Sequence, residues 1–339
     1  MDSTKFFHRA IALIAAGETA VGARLATEFG VSRSAVSSRL KKLIEQGVLT
    51  ATGHGRGRRF ALAKLSEVSA EYALAGLSED RVWRDLAAGE VADLPENVRD
   101  IWHYGITEMV NNAIDHSASA RVQVRIERDA WQMSCWVIDY GEGIFSKIQR
   151  ALGLYDPRDS LIELAKGKFT TDPERHTGEG IFFSSKVFDC FQIRSRGLVF
   201  AHDDGLQNVI VEHENDEKPG TRVLMVLRHD CQRLLSSVMD EFAEPEEYSF
   251  SRTIVPVRLA AHEGEKLISR SQAKRLTFRF ERFVNVVLDF QGVEEIGQAF
   301  ADELFRVFGR RYPQTRLIAI NTSPSVQRMV DRVLASQQN

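Results

Sequence analysis

Between residues 104 and 117 the chain reads YGITEMVNNAIDHS, an apolar helical run interrupted by a carboxylate and an amide. Pro95 suits the first turn of a helix, and ENVRDIWHYGITEMVNNAIDHS continues it. Glu108 and Asn112, four residues apart, then share one face, while Ile106, Met109, Val110, Ala113 and Ile114 serve the core. A carboxylate and an amide one turn apart can orient a water and hold a hydrated Mg2+ against phosphate oxygens. Taken alone, the spacing is equally that of a helix-cap or surface pair.

Three glycine-bearing segments follow. An amphipathic strand pair, ARVQVRIER and WQMSCWVIDY, leads into Asp139-Tyr140-Gly141-Glu142-Gly143-Ile144. An Asp at a strand end can accept a hydrogen bond from an adenine amino group, and glycines let the backbone approach the base. Further on, KFTTDPERHTGEGIFFSSKVFD places Phe169-Thr170-Thr171 before Thr177-Gly178-Glu179-Gly180, which opens an apolar helix. Glycines at a helix N-terminus form an anion site suited to phosphates. Gly220-Thr221 finally leads a strand, TRVLMVLR. A single D-x-G-x-G is common in turns; four segments in this order are not.

Together these segments resemble the GHKL ATPase superfamily of histidine kinases, Hsp-type chaperones and gyrases, over about residues 70 to 230. ITEMVNNAIDHS resembles its E-x-x-x-N box and VIDYGEGI its first glycine box. FTT and TGEG resemble the flanks of its ATP lid, and GTRVLMVLR its terminal strand. The resemblance implies ATP and Mg2+ as ligands, with Glu108 as general base, Asn112 as Mg2+ ligand and Asp139 as adenine reader. It further implies that Gly141 and Gly143 shape the base pocket, that Thr170, Thr177, Gly178 and Gly180 belong to the phosphate side, and that Thr221 supports Asp139. Two departures stand out: Glu179 occupies a position where the family more often has Leu, and the lid from Thr171 to Thr177 is short. An acid beside phosphates is unfavourable unless it points away. Lys166, Lys168 and Arg175 could reach a γ-phosphate, or form a solvated lid. No phospho-acceptor helix pair precedes this segment, which argues against an ordinary two-component kinase.

Charge is unevenly spread along the 339 residues. The whole chain carries −3, but residues 1 to 65 have eleven basic side chains against four acidic ones, so +7, leaving −10 for the rest. A basic module on an acidic body is the electrostatic footprint of a DNA-binding domain. Ile11, Leu13 and Ile14 suggest a first helix; Val21, Leu25, Ala26 and Phe29 suggest a second, broken at Gly30. Ser32 is a good N-cap for a third, in which Val36, Leu40, Leu43 and Ile44 face inward. Arg33, Ser34, Ser37, Arg39, Lys41 and Lys42 are then available to bases or phosphates. VLTATGHGRGRRFALAKL reads as a hairpin whose Arg56, Arg58 and Arg59 would neutralise phosphates or reach a minor groove. The segment resembles the winged helix of bacterial regulators. Residues 66 to 92 read as a polar, partly helical connector.

From about residue 250 short apolar strands alternate with helices: TIVPVRLA, a helix capped by Ser269, NVVLDF, EEIGQAFADELFRVF, TRLIAI and PSVQRMVDRVL. This implies a small α/β layer, and it resembles the STAS-like domains related to anti-anti-sigma factors. Those factors accept phosphate on a Ser after the central strand, whereas the stretch from Asp289 to Phe305 contains no Ser or Thr. The expectation is a binding or dimerisation module.

The expected architecture is multidomain α+β: a winged helix-turn-helix (1–66), a GHKL or Bergerat α/β sandwich (67–235) and a small STAS-like α/β domain (236–339). The N-terminus lacks a secretory pattern and no stretch of about 18 apolar residues occurs, so no membrane association is expected and the cytoplasm is the expected location. Cys135, Cys190 and Cys231 show neither zinc nor disulfide spacing. The functional expectation is an ATP-binding transcriptional regulator that acts as a homodimer on double-stranded DNA, with a protein partner for the C-terminal domain. The alternative is a serine/threonine kinase resembling anti-sigma factors, acting on a separate STAS partner. Glu108 leaves ATP hydrolysis chemically open in either case.

Overall fold

The computed structural model describes residues 3–170, 178–203, 206–212, 218–243, 250–261 and 265–335, with Arg56 and residues 206–212 described by backbone alone. The chain is a mixed α/β protein of several units. The first holds α1 (Ser3–Ala15), α2 (Val21–Phe29), α3 (Arg33–Glu45) and an antiparallel hairpin of β1 (Leu49–Thr52) and β2 (Arg59–Leu62). Each boundary has a local cause. Gly30 takes the left-handed conformation that ends α2, and Ser32 Oγ accepts from Ala35 N, which starts α3. Phe6, Leu13, Leu25, Val36, Leu40 and Leu49 form a separate core. Full burial of one such side chain stabilises by about 1.5–3 kcal/mol.

The second unit is a seven-stranded sheet in the order β3-β4-β5-β9-β6-β7-β8, every neighbouring pair antiparallel. Its strands are β3 (Ser66–Ala73), β4 (Arg121–Arg128), β5 (Gln132–Asp139), β6 (Cys190–Ser195), β7 (Leu198–Asp203), β8 (Leu206–Glu212) and β9 (Arg222–Arg228). The stretch 66–92 is therefore not merely a connector: its first eight residues are an edge strand paired along their whole length with β4. Val68, Ala70 and Tyr72 alternate with the exposed Glu67, Ser69 and Glu71, the period-two pattern of a strand that the reading as a connector passed over. After the short α4 (Glu79–Val82) and a π-helical turn comes α5 (Glu96–His116), laid across the sheet. Val122, Val124, Ile126, Met133, Cys135, Val137, Met225 and Leu227 alternate inward to meet its Ile101, Ile106, Met109 and Val110. Gly105 is obligatory here, because a β-carbon would overlap the Phe188 ring. Around this layer lie α6 (Ile144–Leu152), α7 (Asp159–Lys166), α8 (Gly180–Val187) and α9 (Leu235–Phe242).

The third unit is a parallel sheet, β10 (Arg252–Pro256), β11 (Asn285–Asp289) and β12 (Arg316–Ile320), in sequential order. It carries α10 (Arg270–Thr277), α11 (Gln298–Ala301) continuing through a π-helical turn into α12 (Phe308–Arg311), and α13 (Pro324–Ala335). Ser269 and Gln272 close a reciprocal capping box at the start of α10. One continuous hydrophobic cluster runs through the second and third units, and Phe182, Phe183, Phe242 and Phe250 meet across it in edge-on and tilted contacts. The first unit touches the second at His8, whose ring lies 5.6 Å from that of Trp131.

Candidate functional site

A cavity of about 260 Å³ opens between α5, the end of β5, the start of α6, the segment after α7 and the start of α8. Glu108, Asn112, Asp139, Gly143, Thr170, Gly178, Gly180 and Thr221 all line it. Gly141 lies just outside the lining, and Thr177 lies outside the described residues.

At one end stands Asp139, the last residue of β5, only 7% exposed. Its Oδ1 accepts from Gly141 N at 2.9 Å and from Thr221 N at 3.1 Å. The Thr221 hydroxyl bonds the same carboxylate and accepts from Ile144 N at 3.1 Å. Burial pushes the Asp139 carboxyl above its ordinary pKa, opposed by the donors from Gly141 and Thr221. A β-carbon at residue 141 would overlap Ser117 O, and one at Gly143, whose φ is +88°, would overlap Ser195 Oγ. Both glycines are thus required by close approach to neighbouring chain, and Asp139 lines the cavity beside them. Lys147 also lines this end, where its Nζ donates to His116 O at 2.8 Å and burial lowers its pKa. Sequence reasoning passed over Lys147, although it lies one helical turn beyond Gly143.

At the other end Glu108 crosses the first turn of α8, so that a β-carbon at Gly180 would overlap its carboxylate. Asn112 Nδ2 is buried with no hydrogen-bond partner among the described residues. Gly178 has φ +74° and sits on the backbone of Phe169, leaving no room for a side chain. Glu179 lines the cavity too, and its charge joins that of Glu108, after burial, in pushing the Tyr104 hydroxyl up. Glu108 and the Asn112 amide thus stand together near the N-terminus of α8, and an amide supplies both an N–H for a phosphate oxygen and a carbonyl oxygen for a cation. Among the described residues no three His, Cys, Asp or Glu side chains could hold a metal ion by themselves. The donors do fit Mg2+, which characteristically uses one or two protein ligands plus phosphate oxygens.

Of the basic residues expected at a lid, Lys166 is corrected by the structure. It is 1% exposed, and its Nζ donates to Glu163 Oε1 at 2.5 Å and to Phe278 O at 2.6 Å. Lys166 is neither solvated nor directed at the cavity. Lys168 is half-buried between the rings of Phe250 and Phe283, and Arg175 lies outside the described residues.

In the N-terminal unit Arg33, Ser34, Ser37, Lys41 and Lys42 are exposed on α3, and Ser32 and Ser34 share a hydrogen bond of 3.1 Å. Lys41 pairs loosely with Glu45 at 3.5 Å. Arg39 is drawn back, with its guanidinium 4.8 Å from the centre of the buried Phe6 ring. Arg58 lies over Phe60 at 5.4 Å, Arg59 is exposed at the start of β2, and the Arg56 side chain lies outside the described part.

Residues 272–327, from α10 into α13, match the family model of a STAS-like domain of unknown function (DUF4325). The C-terminal unit is thus STAS-like. No curated protein matches the chain. Among the described residues no helix is long and apolar enough to cross a membrane.

Proposed function

We propose that this chain is an ATP-binding, DNA-binding transcriptional regulator, a winged helix-turn-helix joined to a GHKL-type ATPase fold and a STAS-like module, in which nucleotide state gates DNA or partner binding. The observation that carries this reading is the convergence of Glu108, Asn112, Asp139, Gly178, Gly180 and Thr221, drawn from four separate segments of the chain, on one cavity. In this reading Asp139, held by Thr221 and Gly141, accepts from the adenine amino group, and Gly143, seated against Ser195, shapes the turn beside the base. Asn112 and the N–H groups at the start of α8 hold the phosphate side, with Mg2+ against Asn112. ATP with Mg2+ supplies a γ-phosphoryl group whose charge the cation offsets. Glu108 holds the attacking water and accepts its proton.

The exposed basic face of α3 and the Arg-bearing hairpin support duplex DNA as the partner, and paired half-sites would call for a homodimer. The STAS-like unit is the surface offered to a protein partner. A kinase acting on a separate STAS protein is the second reading, favoured by the absence of Ser or Thr between Asp289 and Phe305, since no acceptor of that kind is present in cis. Calorimetric titration with Mg-ATP and GTP tests the cavity: selective ATP binding supports the reading, and no binding of either removes it. Incubation with γ-labelled ATP and candidate STAS proteins separates the two readings, label on the partner favouring the kinase.

A further inference from the structure

The helix α7 is buried along all eight of its residues, including Asp159, Glu163 and Lys166. It is wedged between the proposed nucleotide fold and the STAS-like unit. Glu163 takes Lys166 on Oε1 at 2.5 Å and Arg279 on Oε2 at 3.0 Å, and these side chains are 1%, 1% and 7% exposed. Thr253 of β10 donates to Lys166 O at 2.8 Å. Beyond α7 the chain is gripped again from the same side: Arg279 Nη2 donates to Lys168 O at 2.6 Å, and Lys168 Nζ to Arg282 O at 3.3 Å. The Arg279 guanidinium also stands 5.6 Å from the Phe169 ring centre. Phe169 lines the cavity, and its backbone is the seat of Gly178. Arg279 itself has φ +64°, a left-handed conformation that a non-glycine residue adopts only when its surroundings hold it there.

We propose that Arg279, a residue of the STAS-like unit, is a positioning residue of the nucleotide site: it fixes Lys168 and Phe169, and so makes the seating of the STAS-like unit and occupancy of the phosphate end of the cavity interdependent. The inference rests on the nucleotide reading above and adds its regulation. One guanidinium spans a carboxylate and a backbone carbonyl on consecutive parts of the chain, a task for a planar fork that an ammonium cannot repeat. The STAS-like module then backs the cavity wall from outside, and a protein bound to that module acts on ATP through Arg279 and Phe169. Because Glu163 keeps Lys166 as its counter-charge, Arg279→Ala leaves a neutral buried pair and no stranded charge.

The test is calorimetry on the full chain with two probes, Mg-ATP and adenosine, using wild type, R279A, R279K and F169L. R279A and F169L are expected to weaken Mg-ATP by at least about fivefold while leaving adenosine affinity unchanged, since Asp139 and the base end do not touch this contact. R279K is expected to restore little. Equal loss of both probes would mark a general loss of structure and overturn the proposal, as would unchanged ATP affinity or full rescue by R279K. Should R279A fail to fold, F169L leaves the ion triad intact and reads the same contact from its other side. Wild type that binds neither probe overturns the nucleotide reading itself, whereas wild type that binds both while the variants match it overturns the positioning role alone.

Discussion

The Glu108 carboxylate lies against the Cα of Gly180, so close that a methyl group there would overlap Glu108 Oε2. A residue in the middle of α5 and the first residue of α8 thus share one small volume, with Asn112 one turn along.

This contact predicts two different phenotypes. Glu108→Ala is expected to keep ATP affinity and to lower turnover by about 10²- to 10⁴-fold, because a general base acts on the attacking water and not on the bound ground state. Gly180→Ala is expected to lose affinity and turnover together, since its β-carbon displaces the carboxylate into the cavity. Binding by calorimetry and phosphate release read side by side check this; equal loss of binding in both variants would mean that Glu108 has been given the wrong role.

Asp139→Asn is expected to stabilise the protein and to disable the site. The folded carboxyl is held above its ordinary value of 3.8, so the unfolded chain releases this proton first as pH rises. The contribution of Asp139 to stability is therefore full below 3.8 and is lost as pH rises through the raised folded value. At neutral pH the buried charge is a cost that Asn removes, while Asn Oδ1 still accepts from Gly141 and Thr221. The amide then presents a donor to the adenine amino group, leaving it unpaired at about 1–3 kcal/mol. Thermal midpoints from pH 3 upward, with and without ATP, read both effects: a lower midpoint at neutral pH or retained ATP affinity counts against the assignment.

Replacing Arg56, Arg58 and Arg59 by Ala is expected to flatten the salt dependence of DNA binding, by up to about 0.9 in slope per lost phosphate contact. Arg39→Ala should act differently, because its guanidinium rests on Phe6 and its loss falls on the stability of the N-terminal unit. Ser32→Ala removes the α3 cap and should cost about 1 kcal/mol. Salt titrations by fluorescence anisotropy, with melting of the same variants, distinguish contact from support; an unchanged slope in the triple variant would remove the hairpin from the interface.

If nucleotide state gates DNA, the coupling is reciprocal: ATP changes operator affinity by the same factor by which operator changes ATP affinity, typically about 5- to 150-fold. The measurement is operator affinity with and without a non-hydrolysable nucleotide, and nucleotide affinity with and without operator. No change in either would separate the cavity from the N-terminal unit and leave the kinase reading in possession.

What could be read without the fold was local. Gly30 and Ser32 set the limits of α2 and α3 because a left-handed residue and a side-chain cap act within one turn of chain. Glu108 and Asn112 share a face because four residues make a turn, and Asp139 ends β5 where the glycines begin. By itself, then, the sequence determined the N-terminal helices and hairpin, the helix of Glu108 and Asn112, the β4–β5 pair, β9, the glycine-dependent turns and the STAS-like character of the C-terminus, but not β3 or β6 to β8. Only the tertiary structure decided which polar residues are solvated. Lys166 looks like a surface cation in sequence and is 1% exposed, because α7 is covered on one side by β10 and on the other by the unit of the seven-stranded sheet. Lys147 enters the cavity, β3 becomes a sheet edge and Arg279 reaches Phe169 for the same reason. Periodicity records which face of an element is apolar; it carries no record of what covers the other face, and that depends on residues distant in the chain.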